Sequence, residues 1–265
     1  MPDGQASCDR GEMPTRLVHL VVDAADPPTL ARFWSAALEW PITLEEPDEV
    51  VIEPPEHDPA QAGQLPLVFV PVAEPKTTKN RIHLDLASSS ADHQAALVAR
   101  LERLGARPID IGQRDVSWVV MADPEGNELC VVSHHGSVGK DPASAFAGIR
   151  PVAAVVFDCD HPEAIAPFWA AATGWAVLGQ DDEGVWLRDV TTGGPYLDLH
   201  RVTQPKSVKL RVHIDVAPFA DDDHTAEVER LRAIGACEID IGQADARWVV
   251  LADPQGNELC VLTPR

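Results

Sequence analysis

Two short stretches carry the residues best suited to chemistry: "RIHLDLA", with His83 and Asp85, and "RVHIDVA", with His213 and Asp215. If each is a strand, the His and the Asp two residues on point to the same face. An imidazole held by a carboxylate is either a hydrogen-bonded core pair or a general base whose tautomer the carboxylate fixes, and both readings stay open. The stretches "WVVMADPEGNELCVV" (Trp118 to Val132) and "WVVLADPQGNELCVL" (Trp248 to Leu262) agree at 12 of 15 positions, 130 residues apart. Each places a thiol, Cys130 or Cys260, on the last strand of its half. Glu128 and Glu258 come two residues earlier, on the same face and nearer the strand's start.

The elements that must position these groups repeat with them. "RLVHLVVDAADPPTLARFWSAALEW" matches "PVAAVVFDCDHPEAIAPFWAAATGW", pairing Asp23 with Asp158 and Phe33-Trp34 with Phe168-Trp169. "EPKTTKNRIHLDLA" matches "QPKSVKLRVHIDVA" and sets His83 over His213. The chain is a duplication. Both faces of the first strand, with Leu17, Val18, Leu20, Val21 and Val22, are mostly apolar, as a strand covered on both sides requires. Asp26-Pro27-Pro28 opens a helix with Leu30, Phe33, Trp34 and Ala37 on one stripe. Three short strands follow near Ile42–Leu44, Val50–Glu53 and Leu65–Pro71. A strand over Arg81–Leu86, a helix from about Ala91 stopped by Gly105, and strands ending in Glu128–Val132 repeat the order. Each half is two βαβββ units, and the chain has four. Asp-Pro-x-Gly-Asn reads as a turn, with Asp123 and Asp253 capping it and Gly126 and Gly256 supplying positive φ. The Phe-Trp pairs read as core.

The expected organisation is a disordered leader at 1–14, a first domain at 15–133, a polar linker at 134–149 and a second domain at 150–265. The expected fold class is α+β: curled mixed or antiparallel sheets with helices outside, the domains docked as a pseudo-twofold pair. Which units share a sheet is left open. The loop "EPPEHDPAQAGQLP" in the first half is longer than "RDVTTGGP" in the second. It reads as a rim or lid, with one half binding ligand better than the other.

Lys and Arg number 21 against 42 Asp and Glu, a formal charge of −21. That field disfavours nucleic acid and anionic membrane surfaces as partners. No apolar run reaches a bilayer-spanning length and "MPDGQASCDRGEMP" is not a signal peptide, so the expected location is the cytoplasm. The five cysteines, Cys8, Cys130, Cys159, Cys237 and Cys260, suit reduced thiols. The expected partner is a small molecule, bound by a monomer or a homodimer. His57, His93, His134, His135 and His224 read as loop or helix-start residues facing solvent. No phosphate loop, nucleophile elbow or dinucleotide fingerprint is present.

The four units, the "FW" on the first helix, the "KNRIHLDL" strand and the terminal "DPEGNELCV" resemble the vicinal oxygen chelate superfamily, in its glyoxalase-like branch. The resemblance runs from Arg16 to Leu262. It implies the glyoxalase/bleomycin-resistance fold and an activity ranging from isomerase, dioxygenase or other enzyme to metal-free binding protein. It further implies metal corners at His19, Val70, His83 and Cys130 in the first half, and at Ala154, His200, His213 and Cys260 in the second. His19, His83, Cys130, His200, His213 and Cys260 are thus the candidate ligands. Enzymes of the superfamily usually place Glu where the cysteines stand. The expectation is a metal-free site, its cysteines core thiols, its pocket lined by His19, His83, Asp85, Trp118, Glu128, His200, His213, Asp215, Trp248 and Glu258. It would bind a hydrophobic or aromatic metabolite. The alternative is a lyase or isomerase using zinc, nickel, iron or manganese. The sequence leaves enzyme or binding protein undecided.

Overall fold

In the computed structural model, described here for residues 15–55, 61–133, 150–243 and 246–265, the four repeats appear in chain order. The first unit is β1 (Thr15–Ala24), α1 (Pro27–Leu38), β2 (Ile42–Glu45), β3 (Val50–Ile52) and β4 (Leu67–Pro71). The second is β5 (Ile82–Ala87), α2 (Ala91–Leu104), β6 (Arg107–Pro108), β7 (Val119–Ala122) and β8 (Glu128–Val132). The third is β9 (Val152–Cys159), α3 (Pro162–Thr173), β10 (Ala176–Gln180), β11 (Gly184–Arg188) and β12 (Tyr196–Arg201). The fourth is β13 (Val212–Pro218), α4 (His224–Ala233), β14 (Cys237–Glu238), β15 (Val249–Ala252) and β16 (Glu258–Val261). The leader, the linker, Cys8, His57, His134 and His135 lie outside the described residues.

Local chemistry sets the helix ends. Asp26 accepts from the Thr29 N–H at 3.2 Å, with prolines in the first turn of α1. Ser90 caps α2 and Gly105, at φ 111°, closes it, as expected. Glu39 ends α1 in the left-handed region at φ 62°, where the repeat has Gly174.

The units pair across the halves. The first sheet runs β14-β15-β16-β13-β1-β4-β3-β2 and the second β10-β11-β12-β9-β5-β8-β7-β6. Units one and four therefore share one sheet, and units two and three the other. This answers which units share a sheet, the point left open by the repeat. The seams are antiparallel: β1 on β13, with His19 opposite Asp215, and β5 on β9, with Asp85 opposite Ala154. Inside each unit the first strand lies parallel to the last, as β5 to β8.

One face of each sheet and the helices build a single contiguous core, including Leu20, Leu30, Trp34, Trp40, Phe69, Leu86, Phe157, Trp169 and Leu259. The opposite faces carry smaller apolar clusters of their own. These are Ala217, Val250, Cys260 and Leu262 on the first sheet. On the second they are Val120, Cys130 and Val132 beside Trp118, and Ala154, Val156 and Tyr196 beside Trp186.

The repeated turn explains itself here. Asp123 Oδ1 accepts from the Glu125 and Asn127 N–H groups, both at 2.9 Å, and Oδ2 accepts from the Trp34 indole at 3.2 Å. Asp253 does the same for Gln255, Asn257 and Trp169, the last at 3.1 Å. Trp34 belongs to the first sheet's helix and Asp123 to the second sheet's turn, so the bond ties the two sheets together. Glu125 adds to the tie by accepting from the N–H groups of Ala25 and Asp26, both at 2.8 Å. The described end of the long loop is likewise anchored. Gln64 exchanges two hydrogen bonds with the Val152 backbone, at 3.0 and 2.9 Å.

Among the described residues no helix is long and apolar enough to cross a membrane. The described cysteines Cys130, Cys159, Cys237 and Cys260 are free.

Two outcomes follow. Asp123→Ala leaves several buried donors unpaired, and urea unfolding should read a loss of about 3 kcal/mol or more. Residues 15–133 produced alone would expose the seam edges of β1 and β5. Light scattering should find them as a dimer that rebuilds both seams, and a cooperatively unfolding monomer would contradict this topology.

Candidate functional site

Strand alternation turns His83 and Asp85 of β5 away from the core that holds Ile82, Leu84 and Leu86. The parallel register puts Cys130 of β8 beside Asp85. His83, Asp85 and Cys130 offer ligand atoms within 4.8 Å of one another, and His213, Asp215 and Cys260 repeat the cluster on the first sheet. His83 Nε2 stands 3.5 Å from Asp85 Oδ1, and His213 Nε2 3.6 Å from Asp215 Oδ1. On the first sheet β1 adds His19, whose Nδ1 is 3.7 Å from Asp215 Oδ2. Asp215 thus sits between two imidazoles.

The second sheet differs. Its counterpart of His19 is Ala154, and β12 supplies polar groups instead. Cys130 lies beside Asp85, two residues past His83; the matching neighbour of Val156, two past Ala154, is Asp198. On the first sheet the neighbour of Val21 is Val68. The corner positions expected at His200 and Val70 are therefore Asp198 and Val68. A two-residue slip keeps the face, so His200 lies one step along it, opposite Asp158. "YLDLH" shows the alternation in sequence, but only strand register tells which member is the corner.

Lysines close one end of each face. Lys79 Nζ is 2.5 Å from Asp158 Oδ2, and Lys209 pairs with Asp23. Lys76 and Lys206 reach Glu128 and Glu258, each at 2.7 Å. The second oxygens of these glutamates accept from the Asn80 and Leu210 N–H groups at 3.0 and 3.2 Å. Both expected pocket glutamates thus pin the loops that lead into β5 and β13. The signal was present in the repeated Lys-x-x-Lys of "KTTK" and "KSVK". Trp118 packs beside Cys130, while Trp248 is 44 % exposed. His224, expected at the surface, places its ring Nε2 3.0 Å from the Val261 carbonyl oxygen.

Burial governs the protons on the second face. Burial and then the Asp198 carboxylate push the Asp85 carboxyl up to about 7, against a Cys130 hydrogen bond and Lys79. Burial, Lys79 and His200 hold the His83 imidazole down to about 3. Asp198 rises to about 6, chiefly through burial. The Cys130 and Cys260 thiols are pushed far up by burial and by the carboxylates of Asp85 and Asp215. At neutral pH the second floor is a neutral imidazole, a thiol and a carboxyl close to its midpoint. His83 Nδ1, Asp85 Oδ1 and Asp215 Oδ1 have no hydrogen-bond partner. In number and kind, His, Asp and Cys within 4.8 Å fit a borderline divalent ion.

The raised Asp85 has a stability consequence. Unfolded Asp85 ionises near the ordinary value of 3.8 and folded Asp85 near 7. The folded state therefore binds more protons between these values and loses stability as pH rises through the window. Asp85→Asn should raise the melting temperature relative to wild type more at pH 8 than at pH 4, a difference approaching about 4 kcal/mol. A pH-independent difference would contradict the burial described.

Comparison with known proteins agrees with this architecture. A family model described as a glyoxalase-like domain matches residues 19–132 and again 154–262. No curated protein matches by sequence. A crystal structure of a putative dioxygenase from Bacillus subtilis is similar at a TM-score of 0.62 and 14 % identity, over 96 % of this chain and 86 % of that one. Glyoxalase I from Zea mays is similar at 0.61 and 14 %, over 94 % and 92 %. At such identity these two structures speak to the fold, whereas the family model covers most of the chain in two copies. The chain belongs to the glyoxalase-like domain family.

Proposed function

We propose that the protein binds a small, largely apolar or aromatic molecule on the outward sheet faces, holding the molecule's polar end against the His-Asp-Cys floor without an ion. The observation that carries this reading is the second floor. Its thiol is protonated, its imidazole neutral and its carboxyl close to its midpoint, and the three lie between two apolar clusters, Val120, Val132 and Trp118 on one side, Ala154, Val156 and Trp186 on the other. Apolar walls with a few convergent polar groups suit orientation of a small ligand. Lys79 and Lys209, the nearest cations that would favour a thiolate, are committed to Asp158 and Asp23. The apolar corners Ala154 and Val68 leave three donors at the four strand corners of each face, so a fourth would have to come from Asp85 or Asp215 between them.

A second reading rests on the donor spacing. In a metal-dependent lyase or isomerase, His213, Asp215 and Cys260 with His19 would hold the ion on the first sheet, and His83, Asp85 and Cys130 on the second. A bound zinc, nickel, iron or manganese would act as a Lewis acid on adjacent substrate oxygens, making a neighbouring proton acidic. The chain's own part would be to orient the substrate and exclude water.

Metal analysis of protein purified without a nickel column separates the two, with substoichiometric metal expected. Cys130→Ala should cost about 1–2 kcal/mol of stability while native mass spectrometry still finds the same co-purifying small molecule as in wild type. Stoichiometric metal, lost in Cys130→Ala or His83→Ala, would reverse the order of the readings.

A further inference from the structure

The two outward faces share their His-Asp-Cys floor and their closing Lys-Asp pair, yet differ at the positions around it. On the first sheet His19 reaches to 3.7 Å from Asp215 and fills the place across the seam. On the second that place holds Ala154; Asp85, 9 % exposed, keeps an oxygen without a hydrogen-bond partner, as Asp215 does on the first. On the far side of β9 stands Asp198, where the first sheet has Val68. Two strand spacings of about 4.8 Å and the two-residue offset from Ala154 to Val156 put the backbones of Asp85 and Asp198 roughly 12 Å apart on one face. The side chains between them are Ala154 and Val156. Next outward is Trp186, paired with Asp198 across β11 and β12 and lying against Gly179, where the first sheet has Val51.

Two carboxyl groups set diagonally on one face, with an apolar strip between them, favour a positive charge in that strip. Among the described residues the nearest basic group is His200, one step along the face from Asp198, and the lysine and arginine close by are engaged elsewhere. Lys79 is held by Asp158, and Arg188 lies over the Tyr196 ring with its nitrogens on the Gly193 and Gly194 carbonyls. An indole beside the carboxylates attracts a cation by its face and stacks on a flat ring. A net charge of −21 draws cations toward the protein.

We infer that the second sheet's face selects a protonated amine carried on an aromatic ring, with Asp85 and Asp198 as counter-charges and Trp186 as the platform, and that the first sheet's face does not. This rests on the binding reading above and names its ligand class. Asp198 is then the residue that sets specificity.

The test uses three probes on one ring, 1-naphthylmethylamine, naphthalene-1-methanol and naphthalene-1-carboxylate, with EDTA present. Titrations follow the Trp186 indole N–H resonance, assigned through Trp186→Phe. The amine should bind at least about tenfold more tightly than the alcohol, with the carboxylate weakest. Asp198→Asn should remove the amine's advantage over the alcohol. Asp198→Val, which copies Val68, is carried in parallel and should do the same. Equal affinity for amine and alcohol in wild type, or an advantage that survives both variants, overturns the inference and leaves the binding reading standing. No response to any of the three probes overturns both.

Discussion

A buried carboxylate in a tight turn holds this molecule together. Asp123 and Asp253 each take two backbone N–H groups of their own turn and an indole N–H from a helix of the other sheet. Such a carboxylate is costly to bury and is stabilised only when every donor is in place. That condition links turn, helix and sheet pairing in one arrangement. The Phe-Trp dipeptides and the Asp-Pro-x-Gly-Asn turns are therefore halves of a single device, written twice because the chain has two sheet-to-sheet joints.

Much of this was legible in the residues. Period-two alternation, proline-marked helix starts and the Gly105 stop fixed the element order to within a residue or two, since each is a local property of the backbone. The duplication revealed four units. Strand partners were not legible, because nothing in "RLVHLVV" says that it will lie against "RVHIDVA" rather than "RIHLDLA". Both offer the same apolar alternation. Topology follows instead from which arrangement lets Trp34 reach Asp123 and Gln64 reach Val152.

The site shows the same division. His83 with Asp85 and His213 with Asp215 were visible as same-face pairs, and the cysteines as their neighbours by repeat. Asp198 was hidden, because its role depends on the β9 to β12 register rather than on its own surroundings in sequence. Glu128 and Glu258 looked like site residues from spacing alone, yet Lys76 and Lys206 claim them. Partners brought from about fifty residues away decide whether a carboxylate is free to act, and local pattern does not carry that information.

The crossed seams also bear on how the chain is made. Val21 must find His213, and His83 must find Val156, before either sheet is complete. At ~5–20 residues per second of synthesis, the first strand waits on the order of ten seconds or more for its partner. During that time the β1 and β5 edges are finished strands with no neighbour on one side, open to pairing with other nascent chains. Proteins whose halves close their own sheets avoid this interval. Here the surplus of acidic residues, which keeps crowded chains apart, acts before the fold exists as well as after.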